Sequence, residues 1–489
     1  MPLSTAFQSQ IYRPLPEMER ADSIVERISK GITLGMLRVG ERLPTEAELS
    51  EKFGVAAATL RDALAELRDL GIVETRRGRN GGTFIVAQPS TSPDEMRRLL
   101  AGASIADLRD FGDEQAAVAA ETVRLACERA EAHELERLLE LGRALVLADS
   151  PDGRARADSR FHIELAVTAQ SPRLTSAEIR LQAESVQLVW APLAQPFDTE
   201  QATAEHLALV RAISDDRPDE AQRLVRLHIR RAVHHLIDTK LALEYSAAIG
   251  EAQASARAAV PHDGVARIAE WFGRASEDVD RFARDVTADL AARLGARATV
   301  TPKDLAGLEG LSGEFLSGHP VAISAGAVFS PEVVSDGARV LEWWVAQPDS
   351  RPTKLLLDLT PGGPRYYDYE KLPFFTTALA TGQQTIWGPY VDYLGSDEYI
   401  LTHTAPIAVA GRLAAVVGYD MRIRDLETAI MPALRTIPGG AALLNASGRV
   451  VIDNSGRYLV GERVPSEPHD AVVTPLGIPG LGYAVLTQR

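Results

Sequence analysis

Isoleucines 24, 28 and 32 recur every four positions between polar residues, a stripe that predicts a helix over residues 21 to 34. A second helix is expected after Pro44, with Thr45 as its cap, Leu49 and Phe53 facing inward and Gly54 at its end. The third runs from Ala56 to Leu70, with Leu60, Leu64 and Leu67 on one face and Gly71 as its stop. Ile72 to Thr75 and Thr83 to Val86 then read as short strands joined by a basic, glycine-rich turn. Two helices, a turn, a third helix and a hairpin describe a winged helix-turn-helix over residues 20 to 88.

Residues 88 to 104, with two prolines among serines and threonines, read as a linker that turns helical near Met96. From residue 104 to 247 the period is helical almost throughout, broken at Ser150-Pro151, Ser171-Pro172 and Arg217-Pro218. That predicts an all-α bundle of six or seven helices. Pro261-His262-Asp263-Gly264 marks the next boundary.

Residues 265 to 489 change texture. A helix over Val265 to Leu294 precedes β-like runs at 321–329, 354–359, 385–393, 399–409, 413–419, 441–444, 450–453 and 483–486. Helical patterns are read at Val340 to Ala346, with Trp343 and Trp344 as packing residues, and at Ile423 to Leu434. Strands with scattered helices predict an α/β domain built on an antiparallel sheet.

The chain has 489 residues, 45% of them apolar and 24% charged, which fits several globular domains and shows no long uncharged apolar run. No membrane span is expected. The N-terminal segment lacks the apolar core of a secretory signal, and Cys127, the single cysteine, can form no intrachain disulfide. A cytoplasmic location is expected. The net charge of −15 argues against nucleic acid at first. Residues 1 to 89, however, hold twelve basic and twelve acidic side chains, so the acidic excess lies downstream and a basic wing can still meet phosphates.

In a helix-turn-helix the second helix of the motif presents its N-terminal side chains to base edges, which here are Thr59 and Arg61. Arg76, Arg77 and Arg79 on the wing suit phosphate or minor-groove contact, and Thr45, Glu46 and Gly81 complete the candidate DNA-binding set. The stretches GERLPTEAELSEKFGV, TLRDALAELRDLGIVETRRGR and GGTFIV resemble the GntR family of bacterial transcription regulators in order and spacing. The chain departs from that pattern at Ala56 and Ala57, where members usually carry Ser-Arg, and at Ala47, where arginine is frequent.

Asp158 and His162 stand four apart on a predicted helix and so share one face, while His206 and His228 can each add an imidazole from a neighbouring helix. This N₃O set suits zinc, nickel, manganese or iron without choosing among them, so a divalent ion of unspecified identity is the expected cofactor. His133, His234 and His235 are read as solvated helix residues. ADSRFHIELA, EHLALVRAI and VRLHIRRAV resemble the FadR C-terminal domain, the helical effector domain of one GntR branch. That resemblance implies a metal beside a cavity for a small carboxylate effector, with Arg109 and Arg124 as candidate anchors.

Aromatic and polar groups concentrate between residues 366 and 420, a composition suited to a small-molecule pocket. YDYEKLPFFTTALATG, IWGPYVDY and AAVVGYD look like pieces of a Cache (PDC-type, PAS-like) sensor fold, with Tyr390 and Asp420 at positions that usually face the ligand and Tyr369 and Lys371 as further candidates. Lys371 and Phe374 stand where amine and amino-acid binders often have Arg and Trp.

Together these features imply a dimeric, effector-responsive transcriptional regulator, more commonly a repressor in the resembled family, acting on an inverted-repeat operator in double-stranded DNA. The alternative is a metal-dependent enzyme with a degenerate DNA-binding head. It requires an open water position and a general base, and no motif in the bundle supplies the base.

Overall fold

The computed structural model describes residues 21–78, 81–89, 91–255, 264–347, 350–361, 366–391, 399–464 and 471–488. Two compact units emerge: Met1–Gly102 with Leu108–Glu244, and Ala103–Asp107 with Tyr245–Arg489. The boundary expected at 261–263 lies outside the described residues.

The head contains α1 (Ala21–Thr33), α2 (Glu46–Phe53), α3 (Ala57–Asp69) and an antiparallel hairpin of β1 (Val73–Arg76) and β2 (Gly82–Ile85). Its core is the predicted stripe: Ile24, Ile28 and Ile32 are fully buried, as are Leu49, Phe53, Leu60 and Leu67. Thr45 caps α2 in a capping box, accepting from the Glu48 amide at 3.3 Å while the Thr45 amide donates to the Glu48 carboxylate at 2.7 Å. Gly54 closes the helix in the left-handed region at φ 68°.

Helices α4 (Pro93–Gly102), α5 (Ile105–Arg129), α6 (Ala132–Ala144), α7 (Pro151–Thr168), α8 (Pro172–Trp190), α9 (Thr199–Ser214) and α10 (Pro218–Ser255) follow. The breaks read from the sequence are helix starts. Ser150 caps α7 through the Gly153 amide and Ser171 caps α8 through the Leu174 amide, each with proline in the first turn, where its missing N–H costs nothing. Helix α7 is buried nearly all round, which makes it the central rod of the bundle.

The second unit carries α11 (Gly264–Leu294), α12 (Leu308–Gly318), β3 (Ser324–Phe329), β4 (Val340–Gln347), β5 (Ser350–Lys354), α13 (Pro373–Thr381), β6 (Thr385–Val391), β7 (Tyr399–Val409), β8 (Arg412–Arg422) and α14 (Ile423–Leu434). It ends with β9 (Ala441–Leu444), β10 (Val450–Asp453), β11 (Ala471–Pro475) and β12 (Ala484–Gln488). A six-stranded antiparallel sheet runs β5-β4-β3-β8-β7-β6 and a four-stranded one runs β10-β9-β12-β11.

Three expectations are corrected here. Val340 to Ala346 is strand β4, not helix, and it pairs residue by residue with β3 from Phe329↔Val340 to Ser324↔Val345. Adjacent Trp343 and Trp344 are both buried, as strand neighbours become when both faces of a sheet are covered, and that removes the alternation that marks a strand. The strand expected at 354–359 is displaced to Ser350–Lys354, and β11, α12 and α13 were not anticipated. Of the run 385–393, Asp392 and Tyr393 lie outside the described residues.

Candidate metal centre, DNA-reading head and sensor pocket

Helix α7 delivers Asp158 and His162, α9 delivers His206 and α10 delivers His228; all four are buried, and one ligand atom from each lies within 4.8 Å of the others. His162 Nε2 faces His228 Nε2 at 3.1 Å, and Asp158 Oδ1 stands 3.3 Å from His206 Nε2 and 3.8 Å from His162 Nε2. Surrounding groups aim these donors. Trp190 Nε1 donates to Asp158 Oδ2 at 3.1 Å, leaving Oδ1 turned to the cluster. Phe161 stacks on His206 with ring centroids 3.9 Å apart.

Glu205 Oε2 sits 2.6 Å from His228 Nδ1 and also accepts from Arg231 at 2.6 Å. A carboxylate there places the imidazole proton on Nδ1, so Nε2 offers its lone pair inward. Burial works against the Glu205 charge, but the bonds from His228, Arg231 and Gln201 hold the carboxyl down at about 2.

Burial pushes the His162 imidazole down to about 3 against the pull of Asp158, and it lowers His206 likewise. Burial alone would raise Asp158, yet the His206 bond and the charges of the three histidines hold it below the usual carboxylate range. Neutral imidazoles and an ionised carboxylate are the forms that ligate metals. Asp158 Oδ1 and His206 Nε2 are buried 3.3 Å apart without a well-aligned hydrogen bond to anything else, and His206 Nδ1 is buried without a partner, a costly arrangement that a bound cation relieves. The residues therefore fit a divalent ion. Bound there, it would supply a Lewis-acidic point for an effector oxygen.

A small pocket adjoins the cluster, lined by Asp158, His162 and His228 on one side and by residues of α5, α8 and α10 on the others. Arg109 and Arg124 are not among its lining. Arg124 is held by Glu121 at 2.6 Å and Glu128 at 2.5 Å on its own helix, and Arg109 lies 3.5 Å from Asp113, so neither is placed to anchor an acid in that cavity. His235, read as solvated, packs its ring 5.0 Å from Phe197. Glu205, Trp190 and the fully buried Glu178 were not anticipated; the Glu205-His206 adjacency was the available signal.

In the head, Arg61 is exposed at the start of α3 and its Nε donates to the Ala57 carbonyl at 3.2 Å, while Thr59 is half-buried. Ala56 gives α3 no side-chain cap. On the wing Arg77 is exposed, whereas Arg76 pairs with Glu74 and lies 4.5 Å over the Phe84 ring, which offsets its charge. Arg79 lies outside the described residues. Gly81 is fixed by space, since a Cβ there would stand 2.5 Å from the Arg76 carbonyl oxygen. Thr45 is engaged in its capping box, and Glu46 is exposed beside it.

Asp420 on β8 is flanked in register by Ser324 on β3 and Thr402 on β7. Its Oδ2 accepts from Ser324 Oγ at 2.5 Å and Trp343 Nε1 at 2.9 Å, and its Oδ1 accepts from Thr402 Oγ1 at 2.6 Å; Thr402 in turn meets the Tyr390 hydroxyl at 2.7 Å. Tyr390, Thr402, Trp343 and Asp420 share a small pocket with apolar residues including Leu341 and Phe374. Tyr369 and Lys371 do not line it. Tyr369 is wholly buried, donating to the Phe329 carbonyl at 2.7 Å, and Lys371 is 83% exposed and paired with Asp368.

The profile of bacterial regulatory proteins, gntR family, matches residues 20–85, and that of the FCD domain matches residues 115–231. RmpR of Mycobacterium gastri, assigned as an HTH-type transcriptional regulator, is 61% identical over 273 residues, covering 54% of this chain and 100% of its own length. The HTH-type transcriptional repressor NanR of Escherichia coli K12 is 29% identical over 239 residues, covering 44% of this chain and 84% of its own. Among solved structures, the ligand-binding domain of the Pseudomonas aeruginosa amino-acid chemoreceptor PctC, in complex with GABA, is 20% identical over 46% of this chain and 94% of its own, with a TM-score of 0.28. At that score the likeness carries no weight, and the architecture of the second unit rests on its own strand order.

The chain belongs to the GntR family of bacterial transcription regulators, with a winged helix-turn-helix followed by an FCD domain. Its relatives are DNA-binding regulators rather than enzymes, and no described helix is long and apolar enough to cross a membrane.

Proposed function

We propose that this regulator reads an inverted-repeat operator as a homodimer in the cytoplasm. A divalent ion held by Asp158, His162, His206 and His228 organises an effector site in the FCD bundle. The observation that carries this reading is the placement of α7, which bears two of the four ligands and also touches the head: Ser159 donates to the Leu34 carbonyl at 2.9 Å, and Arg156 donates to Gln88 at 2.5 Å. An effector that favours one setting of α7 thereby biases the head, and only its differential affinity for the two settings produces a response.

Within the head, Arg61 and Thr59 are the proposed base-reading side chains, and Arg76, Arg77 and Arg79 the phosphate or minor-groove contacts. Thr45, Glu46 and Gly81 complete the proposed DNA-binding set. NanR is a repressor, and repression is the proposed sign here. The second unit acts as a Cache-type sensor whose ligand meets Tyr390 and the Asp420 network, a reading supported by the pocket around them.

The test is selection of genomic fragments by the full-length protein, with and without chelator and candidate metabolites. Enrichment of one palindromic site that changes on chelation or metabolite addition supports the reading. Metal-dependent turnover with no retained fragment would replace it with the enzyme alternative.

A further inference from the structure

The cavity beside the metal cluster has a charge pattern that narrows its occupant. Phe111, Val186, Val189, Phe197, Val233 and Leu236 form most of its wall, and the polar groups other than the cluster are the neutral Gln115, Gln182 and Ser185. No lysine or arginine lines it among the described residues. Arg231 gives Nη2 to Glu205 and lies 4.5 Å over the Phe197 ring, outside the lining. Glu178, 2% exposed, accepts from Gln182 at 2.9 Å and so brings no positive charge to the space behind the wall.

A divalent ion with three neutral imidazoles and one carboxylate carries a net charge of +1. One monoanion balances it. A second carboxylate or a phosphate would be buried against apolar carbon with no cation to meet it, and a polyhydroxylated body would bring more hydroxyls than three neutral side chains satisfy. Resting on the metal-and-effector reading above, we propose that the cavity takes a small monocarboxylate with an apolar body of a few carbons and rejects dicarboxylates, phosphorylated compounds and sugar acids.

The experiment loads the full-length protein with Co²⁺ and follows its visible d–d absorption during titration with acetate, butyrate, hexanoate, succinate and gluconate. Butyrate should shift the bands more readily than acetate, with affinity rising about fourfold per buried methylene until the cavity is filled. It should bind on the order of tenfold more tightly than succinate or gluconate. Val189→Phe should abolish the response while keeping the cobalt bands. Should that variant not fold, Val186→Ala provides the check by moving the preferred chain to a longer acid. Succinate or gluconate binding as tightly as butyrate overturns the proposal, as does a cobalt spectrum indifferent to every acid. Absence of cobalt bands altogether overturns the metal reading with it, and is distinguishable from the other failures by the colourless protein.

Discussion

Ser159 donates its hydroxyl to the Leu34 carbonyl at 2.9 Å, joining the residue next to metal-cluster Asp158 to the end of the head's first helical segment. Both residues are fully buried, so the bond is shielded from water. Beside it a Cβ on Gly35, already in the left-handed region at φ 70°, would lie 3.0 Å from Arg160 Cδ, so the chain there runs tight against α7.

Ser159→Ala should destabilise the first unit by about 1 kcal/mol, because the Leu34 carbonyl is left buried without its donor. Chemical denaturation measures the loss. The same variant should bind DNA with a weakened response to chelator; an unchanged response with the expected stability loss would remove this bond from the coupling.

Glu205→Gln should weaken metal affinity roughly 10- to 100-fold while leaving all four ligands in place, since the carboxylate orients His228 and favours its inward lone pair. Competition against a chromophoric chelator reads the change. Affinity equal to the parent would show that His228 is aimed by packing alone.

Burial pushes the Glu178 carboxyl up to about 7 from 4.5. A group whose folded pKa is raised contributes stability that is complete below its unfolded value and is lost as pH rises through its folded value. Here the window is about 4.5 to 7, and the contribution is on the order of 3 kcal/mol. In the presence of chelator, Glu178→Gln should therefore be more stable than the parent at pH 7.5 and lose that advantage by pH 4.5. Thermal unfolding across the range checks the crossover, and parallel curves would contradict it.

The two arginines proposed for different jobs on DNA should fail differently. Arg77→Ala should weaken binding to all sequences and reduce the slope of log affinity against log salt by about one. Arg61→Ala should relax preference at one operator position by roughly 1–3 kcal/mol. Binding titrations at several salt concentrations against matched and mutated operators separate the two.

The head and the helical bundle, about half of the chain, were readable because their signals are local. Ile24, Ile28 and Ile32 mark a face, Pro151 and Pro172 mark helix starts, and the i, i+4 pair Asp158 and His162 marks a shared direction. The sensor unit was less readable because its decisive relationships are not local. Nothing near Trp343 in sequence announces that β4 lies beside β3 or that its indole meets Asp420 seventy-seven residues away. Residue type within a promising stretch points to Arg109, Arg124, Tyr369 and Lys371, but which way a side chain faces depends on packing that periodicity does not encode. Glu205 shows the converse: an ordinary surface-type residue becomes an orienting group only once α9 and α10 are set together.

Metal analysis of the full-length protein by mass spectrometry of its elements, compared with His206→Ala, tests the central claim most directly. One divalent ion per chain in the parent and its loss in the variant is the predicted result. A parent without stoichiometric metal, or a variant that keeps its full complement, would contradict a centre built from Asp158, His162, His206 and His228.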